Sequence, residues 1–188
     1  MLTSVLIWHR AGGAGVPRPT LQFETLPGRT IVESTRGWKA GESASTGALV
    51  FCVESAGSAQ ITSIVPEAPH GDLHIVQWGV RSNPSTYHLP ELGGPVRGNL
   101  NAVTQPGGVT SGLFTIDGSI TSVCGTKGDY GQELGLTYVK PGNGDAATGG
   151  LLIRYTAGGG GGTIRVSVDE VLCGLDPTVA PLTSACPR

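Results

Sequence analysis

The stretch "GGLLIRYTAGGGGGTIRVSVDEVLCG", residues 149–174, decides the fold. Before its glycine run, Leu151, Ile153 and Tyr155 alternate with Leu152 and Arg154, which places the two sets on opposite faces of a strand. After the run, apolar residues at 164, 166 and 168 alternate with polar residues at 165, 167 and 169. Such alternation predicts a half-buried antiparallel pair with one polar face.

The glycine run between these strands has five members, which is more than a tight turn needs. They are Gly158, Gly159, Gly160, Gly161 and Gly162. One interpretation is a flexible, exposed hairpin tip. The other is a backbone that approaches another surface, such as a neighbouring subunit, so closely that any Cβ would clash. A phosphate-binding loop is disfavoured, because no helix start follows and no Lys-Ser/Thr ends the run.

Composition extends the β prediction to the whole chain. Among 188 residues, 31 are Gly and 13 are Pro, which disfavours long helices. Hydrophobic residues make up 38% of the chain and recur in short strand-like runs between turn signals. We therefore predict an all-β fold, a single antiparallel β-sandwich of jelly-roll or immunoglobulin-like type. The predicted strands are Ser4–His9, Thr20–Thr25, Thr30–Ser34, Ala48–Glu54, Ala59–Val65, Leu73–Val80, Gly112–Ile116, Ser119–Cys124, Glu133–Val139, Leu151–Thr156 and Thr163–Leu172.

Two further hairpins are predicted from local turn chemistry. In "LFTIDGSITSVC", Asp117-Gly118 joins two alternating runs, and Asp-Gly favours a two-residue type I′ turn. In "VESAGSAQITSIV" the turn is placed at Ala56-Gly57. The domain prediction is one sandwich over residues 20–174. A strand or extended arm over residues 1–19 precedes it, and a tail over residues 175–188 follows it.

The four cysteines, Cys52, Cys124, Cys173 and Cys186, are expected to form two disulfides. We favour Cys52–Cys124 and Cys173–Cys186, the second of which closes the tail onto the last strand. The alternative is four buried free thiols. Disulfides indicate an oxidising location, such as the outside of a cell or a virion surface. No CxxC pair occurs, so no structural zinc site is predicted.

Charge and short motifs disfavour several function classes. The net charge is −2 with scattered Lys and Arg, so no nucleic-acid partner is expected. The apolar run at residues 2–8 is too short to span a bilayer and lacks the features of a signal peptide. His70 and His74 in "HGDLH" need not converge on a metal, because Pro69 and Gly71 make a loop there. Asp129, Glu133 and Asp145 are interpreted as solvated turn acids rather than calcium ligands.

Trp38, in "STRGWKAGES", is placed in a loop, where an exposed Trp can anchor an interface or a sugar. The alternative is a ring folded over its own barrel end. No nucleophile motif such as G-x-S-x-G occurs, so no enzyme activity and no cofactor is predicted. The leading hypothesis is a structural or assembly protein of a virion, capsid- or tail-associated, that binds other protein subunits. The alternatives are a secreted bacterial ligand-binding protein and a secreted hydrolase.

Overall fold

The fold is known for most of the chain between residues 19 and 175. A computed structural model describes residues 19–23, 31–82, 95–102, 113–128, 130–175 and 186. The predicted strand Ser4–His9, nearly all of the predicted arm and most of the tail lie outside these residues. Side chains at 31–35, 48 and 102 are likewise not described.

The described residues form thirteen β-strands and one short 3-10 turn. The strands are β1 Leu21–Phe23, β2 Ile31–Trp38, β3 Ser43–Val53, β4 Ala59–Pro66, β5 His74–Ser82, β6 Val96–Arg97, β7 Thr115–Ile116, β8 Ser119–Ile120, β9 Gln132–Val139, β10 Ala146–Thr148, β11 Leu151–Ala157, β12 Gly160–Val166 and β13 Val168–Gly174. The 3-10 turn spans Leu100–Ala102. The sequence did not predict β6 and β10, which are two and three residues long.

These strands build three sheets, which confirms the prediction of an all-β, sandwich-like fold. A six-stranded sheet has the order β1-β3-β9-β5-β7, with β6 also on β3. A four-stranded sheet has the order β12-β11-β4-β8, and a three-stranded sheet has the order β10-β13-β2. The pair β2–β13 is parallel, with Val168 opposite Ile31, whereas the other ladders between the described strands are antiparallel.

One apolar core joins the three sheets. Phe51 and Leu136 come from the six-stranded sheet, Ile153 from the four-stranded sheet, and Trp38 and Leu172 from the three-stranded sheet. Each of these side chains is at most 1% exposed. Burial of one such side chain stabilises the fold by about 1.5–3 kcal/mol. The alternation seen in the sequence of β11 produces its inward row, because residues 151, 153 and 155 are buried while 154 and 156 are exposed.

The predicted strand Thr163–Leu172 is in fact two strands. β12 ends at Val166, the exposed Ser167 follows, and β13 begins at Val168 in a different sheet. Strands that pass from one sheet to another make the corners of sandwiches. Apolar residues at 164, 166 and 168 alternate without a break through this corner, so the sequence carries no signal for it.

Two predicted hairpins are connections between sheets. β3 belongs to the six-stranded sheet and β4 to the four-stranded sheet, so Ala56-Gly57 lies in a link between layers. In the same way β7 pairs with β5 and β8 pairs with β4. Asp117 has a φ of 51°, but Gly118 is outside the left-handed region, so this turn is not type I′.

Both predicted disulfides are confirmed. Cys52 is bonded to Cys124, and Cys173 is bonded to Cys186. The first links β3 to the segment after β8, and therefore the six-stranded sheet to the four-stranded sheet. Beside it the N–H of Val53 donates to the carbonyl of Ser122 at 2.8 Å. The N–H of Cys124 donates to the carbonyl of Val53 at 2.9 Å.

Candidate functional site

The glycine run forms a tight turn and the first half of a strand. Gly158 and Gly159 make the turn with φ of 53° and 76°, which are values typical of the type I′ hairpin turn. Gly160, Gly161 and Gly162 lie in β12, opposite Ala157, Thr156 and Tyr155 of β11. The prediction of a five-residue loop is therefore wrong, because three of the glycines carry ladder positions.

Gly162 has a steric reason to be glycine. The Tyr155 ring lies across it, and a Cβ at Gly162 would lie 2.5 Å from the Tyr155 hydroxyl. An aromatic ring covering a cross-strand glycine shields backbone that would otherwise meet water. Gly161 differs, since the nearest atom to its Cβ position is the Tyr155 carbonyl oxygen at 3.7 Å. A side chain at Gly161 would thus be accommodated on the outer face.

β12 is an edge strand of the four-stranded sheet. Among the described residues it forms a ladder with β11 alone. β1 approaches β12, and no ladder joins these two strands in the described part of the chain. Edge strands expose backbone groups that can pair with another chain, and proteins usually protect them with charge, proline or bulges.

A polar cleft lies at the far end of β5, between the six-stranded sheet and the link from β7 to β8. Its volume is about 320 Å³. The lining residues are Val80, Arg81, Ser82, Leu113, Thr115, Gly118, Ser119 and Gln132. Among the described residues this lining offers hydroxyls, an amide and a guanidinium, which can form hydrogen bonds with a polar molecule.

An ion pair underlies this cleft. Arg81 Nε donates to Glu133 Oε2 at 2.9 Å, and the Arg81 guanidinium lies 4.3 Å from the centre of the Phe114 ring. Arg81 is 9% exposed and Glu133 is fully buried in β9. The prediction of a solvated turn acid is therefore wrong for Glu133. Breaking a buried ion pair by removing one partner is strongly destabilising.

Asp145 is also buried rather than solvated. Its Oδ1 accepts a hydrogen bond from the Gly174 N–H at 2.8 Å, which ties the end of β13 to the turn before β10. Close by, the fully buried Lys140 donates through Nζ to the carbonyls of Gly142 at 2.7 Å and Gly144 at 3.0 Å. Burial lowers the pKa of Lys140, and the nearby Asp145 opposes that shift. These hydrogen bonds close the turn between β9 and β10 and tie it to the end of β13.

Trp38 is the last residue of β2, not a loop residue, and its side chain is fully buried. The Arg97 guanidinium covers it, 4.4 Å from the ring centre, and also donates to Glu42 and to the Gly37 carbonyl. The backbone N–H of Lys39, with a further contribution from Arg97, holds the pKa of Glu42 below its ordinary value. Since no ring surface is left for a ligand, Trp38 matches the alternative of a ring folded into its own domain.

Both histidines of "HGDLH" are exposed: His74 begins β5, and His70 forms an isolated β-bridge with Ala147 of β10. Within the described residues, no group of three His, Cys, Asp or Glu side chains is arranged to hold a metal ion. Asp129 lies outside the described residues.

In the described part of the chain, no helix has the length and apolarity needed to cross a membrane. Neither a protein-family model nor a curated protein matches this sequence.

Proposed function

We propose that the protein is a non-enzymatic structural or binding module that joins other protein subunits in a virion or another extracellular assembly. The observation that carries this proposal is that β12 is a glycine-rich edge strand with one ladder partner among the described residues. Strand addition at such an edge gives affinity through backbone hydrogen bonds. Two disulfides are compatible with the oxidising surroundings of a virion or extracellular protein.

The test is density-gradient sedimentation of the native protein. Unpurified material from the natural source is loaded on the gradient, and the fractions that contain the protein are identified. We expect it to travel with assemblies much heavier than its own 19.2 kDa. Mass spectrometry of the same fractions then separates the two versions of the proposal. An intact Met1 in purified particles supports a virion component, whereas a processed N-terminus supports a secreted one. Recovery as a free monomer alone would contradict an assembly role.

The polar cleft supports a second candidate function, a secreted ligand-binding protein. Its volume of about 320 Å³ suits a small polar molecule, and Arg81 supplies a cationic group at its wall. A panel of sugars and small carboxylates should raise the melting temperature of the wild type. The Ser82→Trp variant fills the cleft from an exposed position and should lose that response. An equal response from both proteins would place ligand binding elsewhere.

A further inference from the structure

The register of the β11–β12 hairpin determines which backbone groups of β12 face outward. The residues flanking a two-residue turn, Ala157 and Gly160, form a hydrogen-bonded pair. Hydrogen-bonded and non-hydrogen-bonded pairs alternate along an antiparallel ladder. The N–H and C=O groups of residues 160, 162, 164 and 166 therefore point to β11, and those of Gly161, Thr163 and Arg165 point away. All three of these outward positions are exposed. We call these three positions the β12 edge.

The usual protection of an edge strand is weak here. β12 contains no proline and no lysine, and its single charge is Arg165. That side chain is paired with Glu67, which follows β4 on the far side of β11. The exposed guanidinium is thus balanced by a carboxylate of its own sheet and is not an isolated charge on β12. Glycines 160–162 add no side chain that would keep another strand at a distance.

From this geometry we infer that the β12 edge pairs with the same edge of a second copy of the chain, antiparallel and centred on Thr163. This inference rests on the proposed assembly function and names its partner. The two copies would be related by a two-fold axis, so the β12 edge of one copy would contact the β12 edge of the other. The four-stranded sheets would then join into one continuous sheet across the interface.

The sequence of β12 is complementary to itself in this register. Read from its centre, "GGGTIRV" has three glycines on one side of Thr163 and three large side chains on the other. Pairing two copies about Thr163 places Ile164 opposite Gly162, Arg165 opposite Gly161, and Val166 opposite Gly160. Each large side chain meets a glycine, and the two threonines meet each other, which is a favourable cross-strand pair.

The competing registers are worse. The two copies can form hydrogen bonds across the two-fold axis only if the residue on that axis points its backbone N–H and C=O away from β11. Centring on Arg165 would set the two guanidiniums opposite each other, and like charges in that position are destabilising. Centring on Gly161 would pair the glycines with one another and run into the turn at Gly158. The register centred on Thr163 is therefore preferred. A seven-residue ladder is small beside a standard interface, so we expect a dimer with a Kd on the order of micromolar.

Two substitutions at one position test the partner and the register together. Gly161→Lys and Gly161→Glu both place a side chain in open space on the outer face of the monomer. In the dimer that side chain faces Arg165 of the second copy. Lysine should weaken the dimer by roughly 3- to 30-fold, because the two-fold axis creates two like-charged pairs, whereas glutamate should tighten it several-fold. Thr62→Lys adds the same charge at an exposed position of β4, two strands from β12, and should leave the dimer unchanged.

The measurement is sedimentation velocity of the full chain, from low micromolar to near-millimolar concentration, with circular dichroism to check that each variant is folded. A monomer at every concentration would overturn the inference, and so would a dimer that responds equally to both Gly161 variants. Loss of the dimer on removing residues 1–18, without a response to Gly161→Lys, would assign the contact to the N-terminal segment instead. Native protein that sediments with large assemblies while the purified chain stays monomeric would leave the proposed function standing and reject this pairing alone.

Discussion

Single residues in this protein are fixed by neighbours that are distant in sequence. Gly135 of β9 is an example, because Leu100 and Phe114 pack directly over it. Asn101 holds Phe114 there by accepting from its N–H at 2.9 Å and donating to its carbonyl at 3.0 Å. The amide of Asn101 thus substitutes for a strand partner at Phe114, and the aromatic ring fills the space above the glycine.

Gly135→Ala should destabilise the fold by about 1–3 kcal/mol, the usual cost of overpacking a well-filled core. The added Cβ would lie 2.5 Å from Leu100 Cδ2 and 2.6 Å from Phe114 Cε1. Gly142→Ala is the matched control, since no atom lies within 4 Å of its Cβ position. Urea unfolding at 25 °C measures both. Equal stability of the two variants would contradict the prediction and show that the Leu100 and Phe114 side chains can shift to accommodate the added Cβ.

Sequence alone could not identify such residues, although it did identify the disulfide partners. Cys52 lies within a predicted strand and Cys124 ends another, whereas Cys173 follows the last predicted strand and Cys186 lies in a tail that a disulfide would hold. Glu133 and Asp145 were misjudged because their burial depends on Arg81 and on the Gly174 N–H, which lie 52 and 29 residues away. A carboxylate in a glycine-rich sequence looks solvated until its partner is known.

At the scale of strands and turns, alternation predicted which segments are extended but not which segments pair. The β11–β12 hairpin and the two links between sheets share the same local signal, a glycine between two alternating runs. Whether such a turn joins neighbours in one sheet or crosses to the other layer depends on the packing of the core. The parallel pair β2–β13 has a similar origin, because its partners are more than a hundred residues apart.

The glycine run makes a prediction about the hairpin itself. Replacing Gly158 by Asn leaves an Asn-Gly turn suited to φ of 53° and 76°. It should stabilise the protein by about 0.4–1 kcal/mol, because the unfolded chain loses freedom while the folded turn is unstrained. Deleting Gly160–Gly162 should instead destabilise it, since three ladder positions opposite β11 are removed. Thermal melting distinguishes the two, and a neutral deletion would mean that the glycines are a mobile tip after all.

At the scale of the whole molecule, the apolar core and the disulfides stabilise the arrangement of the sheets in different ways. The core joins the three sheets through apolar contact, whereas Cys52–Cys124 ties the six-stranded sheet covalently to the four-stranded sheet that carries the β12 edge. An edge intended for assembly must keep its shape while it is unpaired. A covalent link between the layers limits how far the four-stranded sheet can move when its β12 edge pairs with another chain.

The two disulfides should therefore differ in what their removal costs. In the chain-entropy description, a link across 72 residues stabilises by about 4 kcal/mol and one across 13 residues by about 3 kcal/mol. Because a typical domain has about 5–15 kcal/mol of stability in all, Cys52→Ala with Cys124→Ala should lower the urea midpoint strongly. The double substitution Cys173→Ala and Cys186→Ala should lower the urea midpoint less. The β12 dimer should survive the second change, since Cys173 lies in β13, which belongs to a different sheet from β12. Reduced wild-type protein is the control, and a larger loss from the tail disulfide would show that the C-terminal segment, not the link between sheets, holds the domain together.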